Sequence, residues 1–323
     1  MSSSPDLVQE VLAGSVRAMA KLITVVENEL PGAREAMEQL YPRTGKAYVI
    51  GLTGPPGSGK STLTDKITQG LRRGGHTVGI VAVDPTSPFT GGALLGDRLR
   101  MQEAAGDEGV FVRSMATRGA MGGLARATGE AVKILDAFGK DFILIETVGV
   151  GQDEVDIIRM ADTTLLVSVP GLGDDIQALK AGIMEIGDLF IVNKADREGA
   201  ERLIAELTLM LDLNPTREAW RPPILKTVAT LGEGVPAVVE KIFEHRRFLE
   251  EGNGLWKKRR ERTRQEVVRL IEQEISRQVH RKLTYEANFE EVVGQIMARK
   301  KDPYSYTREV TAKLVLSASD WKD

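Results

Sequence analysis

Along the first 45 residues apolar side chains recur at three- and four-residue spacing. Val8, Val11, Leu12, Val16, Met19, Leu22, Ile23 and Val26 fall on one face of an amphipathic helix. Ser4-Pro5-Asp6 opens it with a capping hydroxyl, a first-turn proline and an early acid. Pro31-Gly32 breaks it, and a second short helix runs to about Leu40. From about Ala47 the pattern changes to short apolar runs alternating with helical stretches. The predicted strands are Tyr48–Leu52, Val78–Val83, Phe142–Glu146, Thr163–Val169, Leu189–Asn193 and Ile224–Thr230. Helices lie between them, for example Ser61–Arg73, closed by Gly74-Gly75. Strands that read as unbroken apolar runs are buried on both faces, which predicts a mostly parallel sheet covered by helices on each side. After about Gly252 the strand pattern stops. Trp256 and the basic residues after it open a charged helix in which Val267, Leu270, Ile271, Ile275, Val279 and Leu283 form one apolar stripe. Such a stripe needs a cover, either its own domain or a second subunit. The chain therefore divides into an N-terminal helical extension (1–45), an α/β domain (46–251) and a C-terminal helical arm (252–323).

Composition narrows the chemistry. Of 323 residues, 43 are basic and 46 acidic, so the net charge of −3 gives no global attraction to nucleic acid or to an anionic membrane. There is no apolar run of membrane-spanning length and no signal-peptide pattern at the polar N-terminus, which predicts a cytoplasmic protein. The absence of cysteine excludes disulfides, thiolate metal sites and thiol nucleophiles. The three histidines, His76, His245 and His280, are scattered, which argues against a zinc site. The chemistry must then use oxygen ligands, backbone amides, Lys and Arg.

Gly54-Pro55-Pro56-Gly57-Ser58-Gly59-Lys60-Ser61 matches the phosphate-loop pattern G-x-x-x-x-G-K-[ST], between a predicted strand and a predicted helix that continues through Thr62. Glycines let backbone N–H groups turn in around phosphates, and the helix N-terminus adds its positive end. In that pattern Lys60 reaches the β- and γ-phosphates and the Ser61 hydroxyl ligates Mg²⁺. The fold expected is the three-layer α/β/α sandwich of P-loop NTPases.

Asn193-Lys194-Ala195-Asp196 ends another apolar strand and matches the N-K-x-D guanine element of P-loop GTPases. A carboxylate at Asp196 accepts from guanine N1–H and the 2-amino group together, which adenine cannot supply, and a carboxylate facing the wrong base is left unpaired. The alternative is that Asp196 merely caps a helix. Thr227-Val228-Ala229 ends the next strand, where GTPases set a backbone N–H against guanine O6.

Glu146-Thr147-Val148-Gly149 closes the predicted strand Phe142–Glu146 as E-x-x-G, where Glu146 would hold a Mg²⁺ water and the Gly149 N–H would sense the γ-phosphate. Val150 stands where Ras-like proteins place a water-orienting Gln, so slow intrinsic hydrolysis is expected. Asp84 and Asp97, on or beside a glycine-rich loop, are candidates for holding the waters around Mg²⁺ or for positioning the attacking water. Pro170–Lys180 is a second glycine-hinged loop, where by composition alone Asp174 is as well read as a helix cap. The basic run Lys257, Lys258, Arg259, Arg260, Arg262 and Arg264 has no aromatic platform, and Glu261, Glu266, Glu272 and Glu274 dilute it. It reads as a solvated helix face, not an RNA surface.

The long segments VAVDPTSPFTGGALLGDRLRM, FVRSMATRGAMGGLARAT and ETVGVGQDEVDI resemble the MeaB/ArgK family, the methylmalonyl-CoA mutase-associated GTPases. The resemblance runs over essentially the whole chain. It implies GTP binding with Mg²⁺ and a chaperone role toward an adenosylcobalamin-dependent acyl-CoA mutase, gating cofactor loading and protecting or reactivating the enzyme. It implies phosphate, Mg²⁺ and switch roles for Lys60, Ser61, Asp84, Asp97 and Glu146, and partner contacts for Gln177 and Lys180. It also implies a homodimer joined through the C-terminal arm. Val228 departs from the Ser that many GTPases carry there, a change that backbone recognition tolerates. A related reading, nickel or cobalt insertion, lacks the Cys/His clusters that such proteins use. A third is a nucleotide-gated module with an RNA or membrane partner.

Overall fold

The computed structural model describes residues 4–84, 106–116, 123–147, 158–171, 187–213, 219–285 and 289–316. Two compact units result, Met1–Arg260 and Glu261–Asp323.

The first unit is built on a seven-stranded sheet of β1 (Tyr48–Thr53), β2 (Val78–Asp84), β3 (Val110–Ala116), β4 (Phe142–Thr147), β5 (Thr163–Ser168), β6 (Leu189–Asn193) and β7 (Ile224–Thr227). Its order is β3-β2-β4-β1-β5-β6-β7, and every pairing between these strands is parallel. Side chains alternate strictly between the two faces, as strand geometry requires. Val49, Val81, Ile143 and Ile145 enter one core cluster, while Ile50, Leu52, Ile80 and Leu144 enter the other. The first face is covered by α1 (Ser4–Leu12), α2 (Val16–Glu27), α3 (Ala33–Leu40) and α5 (Gly123–Phe138). On the second lie α4 (Lys60–Arg73) and α7 (Val235–Glu251). Beyond β5 and β6, α6 (Ala200–Asp212) closes a smaller cluster around Leu166, Phe190 and Val192.

Three expectations are corrected. The single N-terminal helix is two: Gly14 takes φ +90°, and Ser15 caps a new helix by accepting the Ala18 N–H at 3.2 Å. The break keeps Val8, Val11, Met19, Leu22, Ile23 and Val26 buried while Leu12 and Val16 are exposed. These helices share the core with α5 and the sheet. Strand β3 was not anticipated, because Arg113 interrupts its apolar run. That arginine pairs with Glu27 of α2 and donates to Thr24 Oγ1 at 3.2 Å. The last strand ends at Thr227, three residues early, where the chain turns so that the Val228 N–H reaches the Glu233 carbonyl at 3.1 Å. The helix predicted from Ser61 is present, with Gly74 as C-cap and Gly75 in the left-handed region beyond it.

Among the described residues after Gly252 the regular elements are helices: α8 (Gly254–Tyr285), α9 (Phe289–Met297) and α10 (Pro303–Leu316). On α8, Val267, Leu270, Ile271 and Ile275 are exposed within this chain. No helix among the described residues is long and apolar enough to cross a membrane.

Candidate nucleotide site

The site lies at the carboxyl edge of the sheet, where β1 passes through residues 54–59 into α4. Ligands of open parallel sheets bind at this edge. Two glycines are required here by geometry. Gly54 has φ +147°, and a side chain on it would run into the Val167 carbonyl of β5. Gly59, the N-cap of α4 at φ +88°, leaves no room for a Cβ beside the Asn193 amide. The loop is therefore pressed between β5 and the end of β6, with the N-terminus of α4 aimed along it.

Lys60 is buried, and its Nζ donates to the carbonyls of Gly54 and Pro55 at 2.7 and 2.8 Å. Its ammonium is thus held inside the curve of the loop, where phosphate oxygens can replace two neutral carbonyls as stronger, charge-assisted acceptors. The Ser61 hydroxyl donates to Glu146 Oε1 at 2.5 Å. Glu146, 4% exposed, stands one residue before the end of β4, beside Leu52 of β1. Behind it Thr147 Oγ1 and Thr53 Oγ1 share a hydrogen bond of 3.1 Å that ties the two strand ends together. The hydroxyl of Ser61 and carboxylate of Glu146 form a hard-oxygen pair that fits Mg²⁺ with its waters and phosphate ligands.

Asn193 joins the two predicted motifs. Its Nδ2 donates to the Ser58 carbonyl at 2.8 Å, and its Oδ1 accepts from the Thr227 hydroxyl at 3.0 Å and the Ala229 N–H at 3.1 Å. One buried side chain therefore fixes phosphate loop, β6 and the turn after β7 in a single arrangement. Lys194, in a left-handed conformation at φ +55°, stretches over the loop to donate to the Gly57 carbonyl at 2.7 Å. Asp196 is exposed on the following turn. It does not cap α6, whose N-cap is Gly199.

The predicted residues 54–62, Glu146, Asn193, Lys194, Asp196 and Thr227–Ala229 thus converge on one edge. The Val228 N–H donates to the Glu233 carbonyl at 3.1 Å and the Ala229 N–H to Asn193 Oδ1 at 3.1 Å. The hydroxyl of Thr227 was not anticipated as a support for Asn193. The backbone of Asp84 ends β2, and its side chain lies outside the description; Asp97, Gly149, Val150, Asp174, Gln177 and Lys180 lie outside the described residues.

A phosphate loop locked to an N-K-x-D turn, with a hydroxyl–carboxylate pair beside it, defines a P-loop GTPase, a hydrolase of guanine nucleotides. Comparison with known proteins specifies which. A family model described as the methylmalonyl Co-A mutase-associated GTPase MeaB matches residues 19–284, and the chain belongs to that family. A Pyrococcus horikoshii protein named as a putative GTPase is 52% identical over 98% of this chain and 99% of its own. The mouse mitochondrial protein named methylmalonic aciduria type A homolog is 37% identical over 73% of this chain and 61% of its own. Among solved structures, a LAO/AO transport system kinase superposes with a TM-score of 0.70, covering 96% of this chain and 97% of its own at 21% identity, a likeness of fold. The protein is a GTPase of a family described by its association with methylmalonyl-CoA mutase.

Proposed function

We infer that this GTPase gates the loading of adenosylcobalamin into an acyl-CoA mutase of the methylmalonyl-CoA mutase type, and protects or reactivates that enzyme. One joint observation supports the reading: a phosphate loop and guanine turn locked through Asn193, in a chain whose family is described by its association with that mutase.

In this reading Lys60 neutralises the β- and γ-phosphates, and Ser61 with Glu146 holds Mg²⁺, with Asp84 and Asp97 as further ligands of its waters. Bound there, Mg²⁺ offsets charge developing between the β- and γ-phosphoryl oxygens. Asp196 and Lys194 select guanine, and Gly149 senses the γ-phosphate. With Val150 beside it, intrinsic turnover is slow, and the partner supplies the missing water-positioning or cationic group. Gln177 and Lys180 relay the nucleotide state to the mutase. The protein is a cytoplasmic homodimer whose α8 stripe (Val267, Leu270, Ile271, Ile275) is covered by its twin.

Transfer of adenosylcobalamin to apo-mutase, followed by the cofactor's absorbance, tests this reading. Transfer should differ at least about tenfold between GTP and a non-hydrolysable analogue, and the difference should vanish in Lys60→Ala. Equal transfer under every nucleotide condition contradicts the gating role.

A further inference from the structure

The basic run at the start of α8 is not uniformly solvated, contrary to the sequence expectation. Trp256, Lys257 and Arg260 are exposed, but Lys258 and Arg259 are drawn into the first unit. Arg259 donates to the Gly45 carbonyl at 2.7 Å, the Ala47 carbonyl at 2.8 Å and Asp162 Oδ2 at 2.7 Å, with Nε 3.2 Å from Asp162 Oδ1. Asp162 is fully buried and also accepts the Val49 N–H at 3.0 Å. The Lys258 ammonium bridges the Asp162 carbonyl at 2.8 Å and Asp188 Oδ2 at 3.0 Å. From α5, Asp136 completes the socket by accepting the Gly45, Lys46 and Ala47 N–H groups at 2.5, 3.1 and 2.9 Å.

Both acids stand where strands begin. Asp162 immediately precedes β5 and Asp188 immediately precedes β6. The far ends of the same strands carry the nucleotide site: Val167 presses on Gly54, and Asn193 holds the loop and the guanine turn. Both strands are buried throughout, and Asp188 Oδ2 further locks them by accepting the Thr164 N–H at 2.9 Å. Asn193 lies five steps along the chain from Asp188, about 16 Å of extended strand. A packed strand of that length moves as one piece.

We propose that Lys258 and Arg259, clamped on Asp188 and Asp162, couple the root of α8 to the guanine end of the nucleotide site through β5 and β6. The proposal rests on the guanine-nucleotide reading of the P-loop site. Binding free energies are reciprocal, so a clamp that favours the nucleotide-bound arrangement of β6 must itself be tightened by nucleotide.

The experiment uses the full chain with GDP as probe, measuring affinity by titration and amide hydrogen exchange over residues 254–260. GDP should slow exchange at 254–260 in the wild type. Lys258→Met and Arg259→Met should lose at least about fivefold in GDP affinity, with the protection reduced. Lys258 is a third exposed, so Lys258→Met keeps the test open if Arg259→Met fails to fold. Lower stability with unchanged GDP affinity overturns the coupling, since a merely structural clamp behaves that way. Failure of the wild type to bind GDP overturns the nucleotide reading and the coupling with it.

Discussion

The two edges of the sheet solve opposite problems with opposite materials. At the carboxyl edge the chain uses glycines, backbone groups, Lys60, Lys194, Asn193 and the Ser61–Glu146 pair, and the Lys60 ammonium donates to the neutral carbonyls of Gly54 and Pro55. At the amino edge it uses fully formed ion pairs, with Asp162 buried against Arg259 and Asp188 against Lys258. The first arrangement can exchange partners, because a phosphate outbids a carbonyl for an ammonium. The second cannot do so cheaply, because removing Arg259 strands the buried carboxylate of Asp162. One edge is built to bind and the other to stay joined.

The contrast can be broken from either side. Lys60→Ala removes the cation held inside the phosphate loop and should lower GTP turnover at least about 100-fold, measured by phosphate release, with the fold intact by circular dichroism. Unchanged turnover would sink the P-loop assignment. At the other edge, Arg259→Met leaves Asp162 buried without its main cation and should cost about 3–5 kcal/mol, read as a fall in the urea midpoint. A midpoint shift no larger than that of an exposed control such as Arg264→Met would show that the pair contributes little.

Acid sharpens the same comparison. His245 of α7 is buried, with Nδ1 2.8 Å from Thr163 Oγ1, whose oxygen lies 2.6 Å from the Tyr48 hydroxyl. Burial lowers its pKa to about 4; Asp188 and Asp162 oppose that effect, and Lys258 reinforces it. A histidine held neutral by the fold contributes stability above the unfolded pKa of about 6.5, and this is lost as pH falls from there toward 4. The loss should reach roughly 3 kcal/mol, and His245→Gln should flatten that part of the stability curve. An identical pH slope in variant and wild type would assign the acid sensitivity elsewhere. The smallest effect is expected for Thr227→Val, which removes one bond to Asn193. Its stability should drop by about 1 kcal/mol and its GDP affinity severalfold, with GTP still preferred over ATP. Unaltered GDP affinity would show that Asn193 holds its position without Thr227.

The carboxyl edge was legible in the sequence because its chemistry is local. Eight consecutive residues specify the loop, four specify the guanine turn, and their placement after apolar strands follows from strand pattern. The amino edge was not legible, because its partners are far apart: Arg259 lies 97 residues from Asp162, and His245 lies 82 from Thr163. In sequence Lys258 and Arg259 look no different from Lys257 and Arg260, and only the tertiary fold selects two of the four. Strand β3 escaped notice for a similar reason, since Arg113 reads as a break until Glu27 is seen opposite it. Gly14 carried a usable signal: followed by Ser15, it marks a helix end and a new cap inside an otherwise continuous apolar stripe.

The central claim is that this P-loop site serves an adenosylcobalamin-dependent mutase, and GTP turnover with and without that mutase tests it most directly, with ATP as control. The account predicts slow GTP hydrolysis alone, acceleration of at least about tenfold by the mutase, and no response with ATP. GTP hydrolysis that the mutase leaves unchanged would contradict it.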